Sequence, residues 1–232
     1  PEDALPAALS VEVFHNFTLI HDDIMDQAPL RRGSPTVHNK WDENTGILSG
    51  DAMLIQAYQY LESYPNKLFV KLVNHTSKTA LEVCEGQQYD MNFETQKDVT
   101  ISAYLEMIRL KTSVLLGCAL QMGAVIGNAG ATNEALIYEF GTQLGLAFQI
   151  QDDLLDLFGD QTLVGKQVGG DVLANKKTLL SISAKHAADP SELIELQKIE
   201  ALENPTEKIE KTKLLYEKLG YTNKYLEMRL TK

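Results

Sequence analysis

A carboxylate triplet set twice into apolar helical sequence limits what this chain can become. Ile20-His21-Asp22-Asp23-Ile24-Met25-Asp26 and Ile150-Gln151-Asp152-Asp153-Leu154-Leu155-Asp156 share the pattern Asp-Asp-x-x-Asp. On a helix, residues four apart stand on one face with Cβ atoms roughly 5–6 Å apart, so Asp22 pairs with Asp26 and Asp152 with Asp156. Like charges so placed weaken a helix by roughly 0.2–0.5 kcal/mol per pair, and Asp is a poor interior helix former. A solvated acidic turn would bear that cost. The flanks argue otherwise: Leu19, Ile20, Ile24 and Met25 surround one triplet, and Phe148, Ile150, Leu154, Leu155 and Leu157 the other. Carboxylates among such neighbours are partly desolvated and call for cations. An all-oxygen donor set without matching His or Cys selects Mg²⁺ over zinc or copper.

The rest of the chain reads as helix. Leu9, Val13, Phe17, Ile20 and Ile24, spaced three and four apart, predict one apolar face of a helix from about Ala8 to Asp26. A polar loop, Gln27 to Pro35, should follow. Further helices are expected over Ile47 to Ser63, Lys67 to Phe93, Ile101 to Gly127 and Glu134 to Phe158. After a Gly-rich loop, Gly159 to Gly170, three more are expected near Thr178 to Ala187, Glu192 to Leu202 and Thr206 to Leu219. Gly117, Gly123, Gly141 and Gly145 predict close helix–helix approach. Alternating β-branched runs are scarce and no two-residue hairpin signal stands out. The predicted fold is therefore all-α, a single-domain bundle of long, mostly antiparallel helices around a central cavity. The chain opens on Pro1 and enters a helix at once, so residues 1–232 read as one helical domain lacking an N-terminal segment.

Asp plus Glu number 32 against 21 Lys plus Arg, a formal net charge of −11, which excludes broad binding to nucleic acid phosphates. With 44% apolar residues there is enough for a sizeable core. No apolar run reaches the roughly 18–20 residues that span a bilayer, and no targeting pattern opens the chain. Cys84 and Cys118, in apolar helical surroundings without a Cys/His cluster, are expected to be buried free thiols, which suits a soluble protein of the reducing cytoplasm.

Mg²⁺ held by one or two carboxylates usually shares its shell with substrate phosphates. Cations that could meet such phosphates flank both triplets: Arg31-Arg32 after the first, Lys166 and Lys176-Lys177 after the second. Each alone reads as a surface cation. Lys111 does not, because Leu110, Val114 and Leu115 flank it on a helix that looks buried. Carboxylate clusters bridged by metal and diphosphate suit an ionisation, in which metal and fixed cations neutralise the departing diphosphate while a dry apolar cavity shields the organic cation.

Here the residues resemble a known family. The run from Glu12 through His15 to Asp22-Asp23-Ile24-Met25-Asp26, with Arg31-Arg32-Gly33-Ser34-Pro35 after it, is similar to the first aspartate-rich region of trans-isoprenyl diphosphate synthases. Phe148-Gln149-Ile150-Gln151-Asp152-Asp153-Leu154-Leu155-Asp156, then Gly165-Lys166-Gln167-Val168-Gly169-Gly170-Asp171 and Asn175-Lys176-Lys177-Thr178, resembles the second. The likeness runs from about Pro1 to Leu180. It implies the isoprenoid synthase fold and Mg²⁺, three ions per site. Asp22, Asp26 and Asp152 would be metal ligands, with Asp23, Asp153 and Asp156 completing the clusters. Arg31, Lys111, Gln149, Lys166 and Lys176 would contact the allylic diphosphate, Thr112 would steady the carbocation, and His15 and Arg32 would contact isopentenyl diphosphate. The implied reaction is head-to-tail condensation with proton loss to the released diphosphate, in a cytoplasmic homodimer. A Gly-Gly-Lys-x-x-Arg-Pro segment that serves the second substrate in this family is absent, which again predicts a missing upstream piece. Phe17 and Thr18 fall one turn below Asp22 and Phe14 about two turns below, where an aromatic would block a growing tail. That implies a C15–C20 product, C20 preferred. The alternative for Phe14 and Phe17 is ordinary core packing.

Three rivals compete. Glu12-x-x-His15 is half of a di-iron carboxylate motif, but no second Glu-x-x-His exists. A terpene cyclase would share the first aspartate-rich element but carry a different second motif. A silent regulatory subunit would lack a triplet, and both are intact.

Overall fold

The computed structural model describes residues 2–159 and 169–221. A 3-10 turn, Glu2–Ala4, leads into α1 (Leu5–Met25). A two-residue hairpin, β1 (Leu30–Arg31) and β2 (Ser34–Pro35), precedes α2 (Val37–Lys40), α3 (Glu43–Leu61) and α4 (Asn66–Thr95). Next come α5 (Ile101–Ile108), a π-helical turn at Arg109–Ser113, α6 (Val114–Ile126) and α7 (Ala131–Phe158). The chain then carries α8 (Gly170–Leu173), α9 (Leu179–Ala187), α10 (Pro190–Glu200) and α11 (Pro205–Lys218). Among the described residues the hairpin is the only strand structure, so the all-α expectation holds. Three local features depart from the sequence reading. The hairpin lies in what was expected to be loop, α8 begins at Gly170 where the expected Gly-rich loop ends (its residues 160–168 lie outside the described residues), and a π turn interrupts the Ile101–Gly127 helix.

The contacts divide the chain into two compact units, Pro1–Gln87 with Lys111–Gly145, and Gln88–Leu110 with Leu146–Lys232. In the first, α1 lies against α3 because α3 offers glycines where the two approach. A Cβ on Gly50 would stand 2.3 Å from His21 Nε2, and one on Gly46 2.7 Å from Ile24 Cδ1. Asp42 caps α3 by accepting from Thr45 N at 2.8 Å. One core cluster joins Ala7, Leu61, Leu72, Cys118, Met122 and Val125, and a second joins Phe14, Phe17, Ala57, Val83 and Val114. The buried stripe of α1 is Ala7, Ser10, Phe14, Phe17 and Asp23, whereas Leu9 is 39% exposed. The face is thus rotated from the one read in sequence. Close approach holds at Gly117, Gly141 and Gly145, where an added Cβ would meet Thr142 Oγ1 at 2.7 Å, Gly117 Cα at 2.8 Å and Ser113 Cα at 2.6 Å. It does not hold at Gly123, which faces open space. Cys84 is also corrected: it is exposed, while Cys118 is buried, and both are free thiols.

In the second unit, Phe93, Val99, Tyr104, Met107, Ile108 and Ile182 form one cluster. Leu154, Leu157, Leu180, Ala184, Leu196, Ile199, Leu215 and Tyr216 form another. Its helices start on side-chain caps: Thr178 for α9, Asn204 for α11, and Asp189 for α10 through a reciprocal pair with Glu192. Pro190 and Pro205 open α10 and α11, where the missing N–H costs nothing.

Among the described residues, Ile101–Ile126 is long and apolar enough to cross a membrane by length and composition, with a mean hydropathy of 1.2. Tyr104, Met107, Ile108, Leu110, Val114, Cys118, Met122 and Val125 on it are buried against protein. Those contacts make it a core segment.

Candidate active site

The first triplet ends α1. Asp23 is 4% exposed, while Asp22 is half-buried and Asp26, the C-terminal cap residue of the helix, is exposed. The hairpin aims Arg31 at this end. Leu30 pairs with Pro35 and Arg31 with Ser34. Between them Arg32 and Gly33 adopt φ of 52° and 78°, the two left-handed residues of a tight turn whose twist suits a hairpin. Arg31 then donates through Nε and Nη2 to Asp23 Oδ1 at 2.9 and 2.6 Å, and through Nη2 to Asp22 Oδ2 at 3.3 Å. Burial disfavours its charge, but the bonds and the Asp23 and Asp22 charges outweigh burial and hold the guanidinium pKa above its ordinary value. On the other carboxylate oxygen, Lys111 Nζ donates to Asp22 Oδ1 at 3.0 Å. Lys111 and Thr112 lie inside the π turn, a geometry that recurs at functional sites because the extra residue re-aims side chains. Two cations predicted for one diphosphate therefore meet on one aspartate.

The second triplet ends α7. Asp153 is buried and accepts from the Tyr104 hydroxyl, from Gln149 Nε2 at 3.1 Å and from Leu179 N at 3.4 Å. Burial pushes its carboxyl up to about 6; the three donors pull the other way, and Asp152 adds to the rise. The Tyr104 phenol is driven far above its usual range by burial and by the Asp153 charge. Asp152 and Asp156 are half-buried. The α8 turn closes on Asp156, Gly169 N donating to its backbone O at 2.6 Å and Asp171 N to Oδ2 at 3.1 Å. Asp171 is pushed up to about 7, first by burial and then by the charges of Asp156 and Asp153, with Lys176 opposing.

The expected residues fall into place unevenly. Asp22, Asp23, Arg31 and Lys111 are brought together in the first unit. Asp153, Asp156 and Gln149 sit together in the second with Lys176, whose N–H donates to Asp171 O at 2.9 Å. Gln149 is bonded to Asp153, four residues on along the same helix, where Gln–Asp side chains are neighbours. Arg32 is exposed at the hairpin tip. His15 and Thr18 are half-buried, with Thr18 Oγ1 donating to His15 O at 2.8 Å. Phe14 and Phe17 pack edge-on at 5.4 Å, and Phe17 meets His21 the same way at 4.9 Å. Lys166 lies outside the described residues. Tyr104 and Asp171 were missed. Asp171 had a signal, the Gly169-Gly170-Asp171 run after the triplet; Tyr104 had none, because it meets Asp153 across 49 positions of chain.

Among the described residues no three His, Cys, Asp or Glu groups are gathered as a ready metal site. The donor chemistry nonetheless fits a hard cation. Both clusters are oxygen-only, Asp22 and Asp26 reach solvent, and the charges of Asp156 and Asp153 add to burial in raising the Asp171 carboxyl.

A family model described as polyprenyl synthetase matches residues 1–219. The chain belongs to the polyprenyl synthetase family. It is 46% identical over 182 residues to geranylgeranyl diphosphate synthase of Methanosarcina mazei, covering 78% of this chain and 56% of that one. To geranylfarnesyl diphosphate synthase of Natronomonas pharaonis it is 45% identical over 186 residues, covering 79% and 54%. A crystal structure of a geranylgeranyl pyrophosphate synthase superposes with a TM-score of 0.90 at 54% identity, over 94% of this chain and 68% of that one. The geranylgeranyl pyrophosphate synthetase of Pyrococcus horikoshii superposes at 0.88 and 35% identity, over 98% and 71%. The chain thus spans a little over half the length of the M. mazei and N. pharaonis proteins. The fold is the all-α one of prenyl synthases, and membership in this family removes the di-iron oxidase reading.

Proposed function

We propose that the full-length protein is a trans-prenyltransferase that condenses isopentenyl diphosphate head-to-tail with an allylic diphosphate, giving an all-trans C15–C20 product, C20 preferred. The observation that carries this is the convergence of Arg31 and Lys111 on Asp22. Cations so placed can pass from a carboxylate to diphosphate oxygens with little rearrangement. Asp22, Asp26 and Asp152 would hold Mg²⁺, three ions in this reading, and the six triplet aspartates would serve one diphosphate. When bound, the metal supplies charge neutralisation for the leaving diphosphate.

The side chains have separate tasks. Arg31 and Lys111 take diphosphate oxygens, joined by Gln149, Lys166 and Lys176. Thr112 steadies the allylic cation, and His15 with Arg32 receives isopentenyl diphosphate. Asp23 and Asp153 hold their cluster partners Arg31 and Tyr104 in place. The proton lost after addition passes to the released diphosphate, so no protein base is required. Phe17, with Phe14 behind it and Thr18 beside it, limits tail growth. In this reading residues 1–232 belong to one helical prenyltransferase domain. A cytoplasmic homodimer completes the proposal, with Leu48 and Ile55 of α3, 68% and 61% exposed and seven residues apart on one helix face, as apolar surface available to a second copy.

The test incubates full-length protein with Mg²⁺, isopentenyl diphosphate and each of the C5, C10 and C15 allylic primers, and separates the products by chromatography. A C20 product is expected. No chain extension from any primer overturns the proposal.

A further inference from the structure

Lys208 is a buried charge that the condensation does not use. It lies in the first turn of α11, 5% exposed. Its Nζ donates to Leu173 O at 3.4 Å, and among the described residues no carboxylate stands within ion-pair distance of it. A buried ammonium with a carbonyl as partner is costly unless negative charge lies nearby. Lys208 lines a small cavity of about 30 Å³, room for about one water, whose charged lining is mixed: Asp153, Asp156, Asp171 and Glu200 with Lys176, Lys177 and Lys185. Leu173 is the last residue of α8, whose N-terminal end carries Asp171. The next residue of α11, Ile209, packs against the same turn: a Cβ on Gly169 would stand 2.6 Å from Ile209 Cδ1.

We infer that Lys208 is a positioning residue for the second acidic cluster. Through the Leu173 carbonyl it fastens the Gly169–Leu173 turn, so that Asp171 N–H stays on Asp156 Oδ2 and the three aspartates keep one arrangement before and after a cation binds. An arrangement set in advance costs less on binding than one assembled by the ligand. α11 thereby acts on the cluster from outside the two aspartate-rich motifs.

The ligand in the test, though not the positioning itself, rests on the condensation reading. The full-length protein is compared with Lys208→Met, similar in length but uncharged, and Lys208→Arg, which keeps the charge. Amide hydrogen exchange reads the Asp171 N–H, and calorimetry reads binding of Mg²⁺ with inorganic diphosphate. In Lys208→Met, Asp171 exchange is expected to rise at least tenfold and Mg²⁺-diphosphate affinity to fall about five- to tenfold, with the metal-free melting temperature unchanged or higher. Lys208→Arg should bring both back to within twofold of the parent. Parent-like exchange and affinity in Lys208→Met overturn the inference. So does exchange that rises uniformly through α9, α10 and α11 without rescue by Arg, which marks a purely structural role. If Lys208→Met does not fold, Lys208→Gln takes its place, and failure of both to fold also assigns Lys208 to stability. A parent protein that binds no Mg²⁺-diphosphate sinks the condensation proposal instead, while the Asp171 amide still decides the case of Lys208.

Discussion

Asp22 is already divided between two cations, one per carboxylate oxygen, so the site carries its own counter-charges before any ligand arrives. Lys111 and Asp22 are 25% and 19% exposed, which weakens solvent screening and makes the pair stronger than a surface bridge. Lys111→Met should lower kcat/KM for the allylic substrate about 10²–10³-fold, as loss of one fixed donor to developing charge does; steady-state kinetics checks this. The opposite weighting applies at Phe17. It is 8% exposed in a packed cluster, so Phe17→Ala should cost about 3–5 kcal/mol of stability and also lengthen the product. A destabilised variant with an unchanged product by chromatography leaves Phe17 as core alone. Lys111 was marked out by its apolar flanks. The partner it takes was not, since Asp22 is 89 positions away.

Helix α1 is held at its working end by α3, and the contact depends on residues that lack side chains. Gly50→Ala would drive a methyl to 2.3 Å from His21, whose ring already packs on Phe17 and reaches Ile47 O at 3.2 Å. Overpacking of this kind costs about 1–3 kcal/mol, with the melting temperature falling about 2–4 °C per kcal/mol in a chain of this size. Thermal denaturation should show the loss, and an unchanged melting temperature would mean that α3 shifts freely. Element type could be read from periodicity, and the close approach at Gly117, Gly141 and Gly145 from the glycines themselves, although Gly123 carries the same mark and faces open space. The hairpin could not. Arg32 is an unusual residue for the left-handed region, so Arg32-Gly33 gave a weaker signal than Asn-Gly, and the hydrogen-bonded turn with Asp23 and Asp22 beyond it sustains the conformation. The π turn has no local sequence mark at all.

Over the molecule as a whole, acidity concentrates where cations are expected. Asp153 and Asp171 have folded-state values of about 6 and about 7, above their ordinary 3.8. A raised carboxyl contributes stability that is full below about pH 4 and is lost as pH rises through its folded value. Metal-free protein should therefore shed this contribution between about pH 4 and pH 8, and Asp171→Asn should flatten the loss, melting higher than the parent at pH 8 and alike near pH 4. Melting curves across that range check it. Deprotonated Asp153 and Asp171 add negative charge beside the Mg²⁺ that Asp152 would hold, so the rise in melting temperature that Mg²⁺ with diphosphate brings to the parent should be larger at pH 8 than at pH 5.5.

The sequence by itself determined the helical class, the two aspartate triplets with their oxygen-only side chains, and the family, because each rests on short-range spacing of residue types. Tertiary structure decided which groups those aspartates meet: Arg31 turned inward by a hairpin, Lys111 aimed by a π turn, Tyr104 and the Asp171 amide on the second cluster. Contacts of that kind join positions far apart in the chain, and their strength depends on burial, which local pattern does not encode.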